Sequence, residues 1–271
     1  MNEFISAHGP VVQAVIGTSV LWLLTTLGAA GVFLVRDLRP RMMAVMLGFA
    51  AGIMMAASFF SLLTPALDEA KRMGWNPAFP TAGGFAVGAL FLFILDRLLP
   101  HLHIGFPESE AEGIRTGWHK SALLIMAITL HNIPEGMAVG VAFGSLPCGT
   151  GISALCASVV LALGIGIQDI PEGLAVSAPL RAMGMNRGRA FMWGSLSGLV
   201  EPVAGILAAV AVTGMQPLMP WALSFSAGAM FYIVIEELIP ESQNGGHPDL
   251  ATMSTMAGFI LMMVMNAWLG G

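Results

Sequence analysis

The 271-residue chain is 56% apolar and only 10% charged, with 11 Lys/Arg against 16 Asp/Glu and a formal net charge of −5. Soluble domains carry about 25% charged residues, so this composition cannot cover a water-facing surface and reads as a polytopic, all-α membrane protein. No basic patch, aromatic-interleaved basic strand or zinc-finger spacing is present, which argues against nucleic acid as a partner.

A bilayer-spanning helix needs about 20 mostly apolar residues. Eight such runs are predicted, at 10–35, 42–67, 81–99, 120–146, 151–180, 190–213, 218–239 and 250–269, within a single transmembrane unit over 1–271. The opening "MNEFISAHGP" holds no basic residue and so lacks the charged start of a signal peptide. Turn-like separators follow each run, among them "RDLRPR", "KRMGWNPAFPT", "SLPCGTG" and "PESQNGGHPD". With both ends outside, Arg36, Arg39, Arg41, Arg97, Arg115, Lys120, Arg181, Arg187 and Arg189 fall on the cytoplasmic side, and only Lys71 and Arg72 fall outside. That bias sets the orientation. Cys148 and Cys156 are isolated and point to neither a disulfide framework nor a thiolate site.

The second run carries Met54, Ser58, Ser61, Pro65 and Asp68 at i, i+4, i+7, i+11 and i+14, one helical stripe running outward. Methionine in such a stripe is more often packing, and Asp68 is a solvated charge unless the stripe is a conduit. At the end of the third run and just past it, Asp96, His101 and His103 share a predicted cytoplasmic layer with Glu236, Glu237 and Glu241 around the end of the seventh. A His-x-His beside acids fits an exit relay as well as a solvated loop.

The fourth and fifth runs repeat a motif, "HNIPEG" at 131–136 and "QDIPEG" at 168–173. Ionisable groups at a bilayer centre cost roughly 2.5–3.5 kcal/mol and mark pathways or partners. Glu135, Asp169, Glu172 and, in the sixth run, Glu201 lie in such positions, yet the Lys and Arg within the runs, Arg97 and Lys120, stand only at run ends. Four carboxylates without a counter-charge must hold protons or cations. Helical i,i+3 and i,i+4 spacing puts His131 and Asn132 on the face of Glu135, and Gln168 and Asp169 on the face of Glu172. Placed face to face, the two helices form one pocket from His131, Gln168 and both glutamates. A second pocket beside it uses Asn132, Asp169 and the same glutamates. A bridging carboxylate joins them, so a two-metal site is inferred. Pro134 and Pro171 disturb the bonds to the carbonyls of Leu130 and Ile167, while Gly136 and Gly173 permit close helix approach. Imidazole, carboxylate and amide oxygen suit Zn²⁺, Fe²⁺ or Mn²⁺.

These residues, with "GFAAGIMMAASFFSLLTPALDEA", "SGLVEPVAG" and "AGAMFYIVIEELIPES", resemble the ZIP (Zrt-/Irt-like) family of divalent metal transporters, in its bacterial branch. The resemblance implies a 3+2+3 helix arrangement with inverted pseudo-repeats, and a homodimer in the bacterial inner membrane. It also implies an elevator-like movement of the central helices, no permanent cofactor, and zinc or another divalent metal as the transported substrate. One implied ion site uses Met54, His131, Glu135, Gln168 and Glu172. The other uses Asn132, Asp169 and Glu201, bridged by Glu135 and Glu172. Ser61, Asp68 and Asn266 would line the entrance, and Asp96, His101, His103, Glu236 and Glu237 the exit. Relatives often carry His-Glu where this chain has Glu236-Glu237, and an acid where it has Asn266. The loop between the third and fourth runs is short and poor in histidine, against a metal-sensing role. A proton- or sodium-coupled carrier of another solute stays open as an alternative, as does an intramembrane metal-dependent hydrolase, although no H-E-x-x-H motif is present.

Overall fold

The computed structural model describes residues 9–35, 39–102, 109, 111–114, 116–146 and 152–269. Eight helices are long and apolar enough to cross a membrane: α1 (Pro10–Phe33), α2 (Pro40–Arg72), α3 (Ala78–Leu98), α4 (Lys120–Gly144), α5 (Ile152–Ala182), α6 (Arg187–Val212), α7 (Met219–Asn244) and α8 (Pro248–Leu269). Each matches a predicted run to within a few residues. The largest differences are at α2 and α7, which extend five residues past their expected ends. Proline caps the first turn of α1, α2 and α7, where its missing N–H costs nothing.

Helix pairing is decided by glycine. α1 packs most extensively on α5, α4 on α6, α2 on α8 and α3 on α7. In each pair a Cβ added to a glycine would strike the partner's backbone. Gly28 would meet the carbonyl of Ile170, Gly140 that of Gly205, Gly52 that of Thr255 and Gly88 that of Phe225. Without a hydrophobic force between helices in lipid, such close approach supplies the association. Contacts advance together along both chains, 136 to 201, 140 to 205 and 144 to 209 in α4·α6, and 48 to 251 and 52 to 255 in α2·α8, so paired helices run parallel.

The remaining contacts join these pairs into two four-helix blocks, one of α1, α4, α5 and α6 and one of α2, α3, α7 and α8. The pairing is unchanged when α1 and α6, α2 and α7, α3 and α8, and α4 and α5 are exchanged. Across the seam α4 meets α7, and α5 meets α2 and α8. No backbone-to-glycine contact crosses it among the described helices. Only Gly164 faces the other block, and it meets the flexible Met262 side chain. α4 and α5 are the most buried spans, at 67% of their apolar windows, against 22% and 17% for α3 and α8. The two motif helices are thus the spans most enclosed by the rest of the described fold.

α2 and α7 each contain a π-helical segment, Ala57–Leu63 and Val234–Leu238. The stripe expected on α2 assumed α-helical periodicity throughout, and the wider turn interrupts it. Its inner members Met54, Ser58 and Ser61 stay buried while Asp68 is exposed. π-bulges occur frequently at functional sites.

Candidate metal centre

The two repeated motifs lie in unbroken helices despite Pro134 and Pro171. Glu135 of the first motif and Gln168, Asp169 and Glu172 of the second turn toward each other inside the first block. Carboxylate oxygens of Glu135, Asp169 and Glu172 all lie within 4.8 Å of one another, and Gln168 Nε2 donates to Glu135 Oε1. Glu201 joins from α6, where the helix breaks at Gly198–Leu199 and restarts at Val200. Glu201 therefore sits in the first turn of a helical segment, where the dipole favours negative charge. Thr25 Oγ1 of α1 donates to its Oε1 at 2.9 Å. Gly136, one residue past Glu135, has no room for a Cβ because the Glu201 carbonyl occupies that space. The motif glycine thus sets how near Glu201 approaches.

All of this is buried: Glu135, Gln168 and Glu201 are 0% exposed, Asn132 and Asp169 1%. Many of the polar atoms lack hydrogen-bond partners among the described residues. They are both amide atoms of Asn132, both oxygens of Asp169, one oxygen each of Glu135, Glu172 and Glu201, and the Gln168 carbonyl. No Lys or Arg pairs with these carboxylates among the described residues. Buried polar groups are normally satisfied, and a buried charge without a partner is costly. Carboxylates this close together carry protons or cations, and the acceptor-rich lining suits a cation.

His131 differs from expectation. The spacing put it in one pocket with Gln168 and both glutamates, whereas its Nε2–H donates to Glu237 of α7, across the seam. It keeps company with Glu172, since both line a cavity of about 10 Å³, with Glu241 and Leu238 of α7 and Leu47 of α2 on the opposite wall. That volume holds about one water. Met54 is fully buried in the main core, one turn before Ser58, whose hydroxyl donates to the Met54 carbonyl.

The expected exit residues are not the solvated layer that loop positions implied. Asp96, Glu236 and Glu237 bring oxygens within 4.8 Å of one another, and Asp96, Glu237 and Glu241 are buried. Fully buried His101 places Nε2 2.9 Å from Asp96 Oδ1 and Nδ1 2.9 Å from the Leu99 carbonyl. Burial opposes charge on this imidazole, but the Asp96 hydrogen bond, the Leu99 carbonyl and the Asp96 and Glu237 charges outweigh it and raise its pKa above 6.5. An antiparallel bridge between His101 and Glu112 brings Glu112 into the same group. His103 lies outside the described residues. At the expected entrance, Asn266 Nδ2 donates to Ser61 Oγ at 2.9 Å. Asp68 instead pairs with Lys71 at 3.1 Å in the open.

Thr25 and Glu112 were missed from sequence. Thr25 is one polar residue in an apolar run and Glu112 stands in an irregular loop, so neither had a spacing signal. Glu241 had one, its i,i+4 relation to Glu237.

Fold and site together define a multi-pass membrane protein with an acidic cluster buried among its spans. Residues 107–266 match the family model described as ZIP Zinc transporter. The chain is 39% identical to the human protein "Zinc transporter ZIP11", over 98% of this chain and 100% of that one. It is 40% identical to "Zinc transporter ZIPB" of Bordetella bronchiseptica (95% and 81%) and 37% identical to "Zinc transporter GufA" of Myxococcus xanthus (91% and 94%). The chain belongs to the ZIP family of zinc transporters, and so to a family of transporters rather than enzymes.

Proposed function

We propose that this protein carries divalent transition-metal ions, zinc foremost, across a bacterial inner membrane into the cytoplasm through a two-ion intramembrane site. The observation that carries this reading is the convergence of Glu135, Asp169 and Glu172, with buried oxygens that no group among the described residues satisfies. One ion is held by Met54, His131, Glu135, Gln168 and Glu172. The second is held by Asn132, Asp169 and Glu201, with Glu135 and Glu172 shared. Gln168 bonded to Glu135 and the packing of Gly136 on Glu201 support that division.

Entry passes Ser61, Asn266 and Asp68; release passes Glu237, Glu236, Asp96, His101 and His103. The bias of basic residues supports the inward direction, and bacterial relatives support the membrane. Residues 1–271 act as one unit, in a homodimer, with first and last helix triplets as inverted repeats. The exchange property of the pairing supports the repeats.

Transport moves the α1, α4, α5, α6 block against the other. Backbone contacts at glycine fasten each block internally, whereas the seam is made of side chains, which slide at lower cost than interlocked backbones.

Uptake of Zn²⁺ into proteoliposomes without any imposed gradient tests the function. Accumulation that saturates with zinc, and is lost in His131→Ala and Glu172→Ala, is expected. Uptake that appears only under a proton or sodium gradient, with no zinc bound to purified protein, would instead identify a coupled carrier of another solute.

A further inference from the structure

A cavity of about 280 Å³ lies between α3 and α7 of one block and α4 and α6 of the other. Its walls include Val87, Met137, Val141, Ala211, Trp221 and Phe225. Apart from the Ser226 hydroxyl and the Trp221 indole N–H, the lining side chains are hydrocarbon or thioether. Val141 and Met137 stand three and seven residues before the end of α4, about 5 and 10 Å along the axis at 1.5 Å per residue. The cavity therefore lies within one leaflet of a hydrocarbon core about 30 Å thick. It opens sideways: Val87 is 55% and Trp221 38% exposed at its rim, while Leu207 and Val210 of α6 are exposed outside it.

At the seam between α5 and α8 the unbranched Met262 side chain packs against Gly164. The cavity instead has small residues, Ala208 and Ala211 of α6 and Ala222 of α7, where a long side chain would be needed to fill it. What surrounds the opening is lipid, whose chains are flexible, unbranched and apolar like the Met262 side chain.

We infer that this cavity is a binding site for one acyl chain of a membrane lipid, which fills the seam between the two helix blocks. Burying methylenes in it is favourable relative to water, but lipid already provides an apolar medium. Occupancy therefore rests on packing against Phe225, Trp221 and Met137 rather than on escape from water. The chain acts as a removable filler. Acyl-chain length and unsaturation bear directly on the contact between the blocks.

The test uses the full-length protein in liposomes containing a phosphatidylcholine with a photoactivatable diazirine midway along one acyl chain, followed by peptide mapping of adducts. Adducts on Met137, Val141 and Phe225 are expected, beside those on Leu207 and Val210. Filling the cavity with Ala211→Trp, or with Ala208→Leu should the larger change prevent folding, should lower the inner adducts several-fold and leave Leu207 and Val210 unchanged. Adducts confined to Leu207, Val210 and Val87 in the wild type would overturn the site. So would cross-links between two copies at Trp221, which would show a second subunit covering the opening.

Discussion

His131 of α4 and Glu237 of α7 are joined by a hydrogen bond from the imidazole Nε2–H to the carboxylate, across the seam between the two helix blocks. Both residues are buried, at 4% exposure each. A proposed metal ligand is thus also a latch between the parts proposed to move. Zinc on His131 requires a free ring nitrogen, so ligation through Nε2 and this bond exclude one another.

Glu237→Ala should release the latch. A hydrogen bond to a charged group contributes about 1.5–3 kcal/mol, so thermal unfolding in detergent should fall by a corresponding amount. Zinc should still bind, because Glu237 is not among the central ligands proposed. Release to the cytoplasmic side should slow. Unchanged stability together with unchanged uptake would mean that the bond has no role in the protein.

The two ion pockets predict unequal damage. Asp169→Asn takes one charge from one pocket, and should leave reduced but measurable uptake with bound zinc falling from two ions toward one. Glu135→Gln removes a shared charge and should lower both occupancy and uptake much further. Metal analysis of purified variants beside uptake decides it; equal losses would dismiss the bridging arrangement.

Gly136→Leu should displace Glu201, because even a Cβ collides with the Glu201 backbone. Overpacking of this kind costs about 1–3 kcal/mol. Gly188→Ala is the control, since its added Cβ meets only the Asn186 side chain, at 3.6 Å. A melting temperature lowered in Gly136→Leu but not in the control, with zinc occupancy also reduced, is the expected pair of results.

External acid should weaken transport, since proton and metal compete for the same carboxylates and imidazole. Uptake measured at fixed zinc across a pH series should decline as pH falls. A steady rise on acidification would favour proton coupling instead.

The His101–Asp96 pair should respond in the opposite sense. The folded pKa of His101 lies above the unfolded value near 6.5. Its stabilisation is therefore fully present below about 6.5 and is lost as pH rises through the folded value. The difference in melting temperature between wild type and His101→Gln should accordingly be largest in mild acid and shrink at alkaline pH. A difference constant with pH would show that His101 acts by packing alone.

The spans and the acidic inventory were legible in the sequence because both are local. Twenty apolar residues in a row mark a helix whatever surrounds it, and i,i+3 and i,i+4 spacing puts Asp169 and Gln168 near the face of Glu172 without reference to any partner. A count of positive charges likewise exposed Glu135, Asp169, Glu172 and Glu201 as lacking counter-ions. Tertiary structure alone decided which helices meet, and hence what each side chain faces. His131 was placed with Gln168 by spacing, but the approach of α7 gave it Glu237, 106 residues away. Thr25 reaches Glu201 across 176 residues because the Thr25 side chain lies where Gly198 of α6 would carry a Cβ. The π segments changed the register of α2 and α7, and Asp96 and Glu237 became buried although their positions near span ends implied water. Periodicity reports which face of a helix is polar; what that face touches depends on the backbone distances that distant glycines allow.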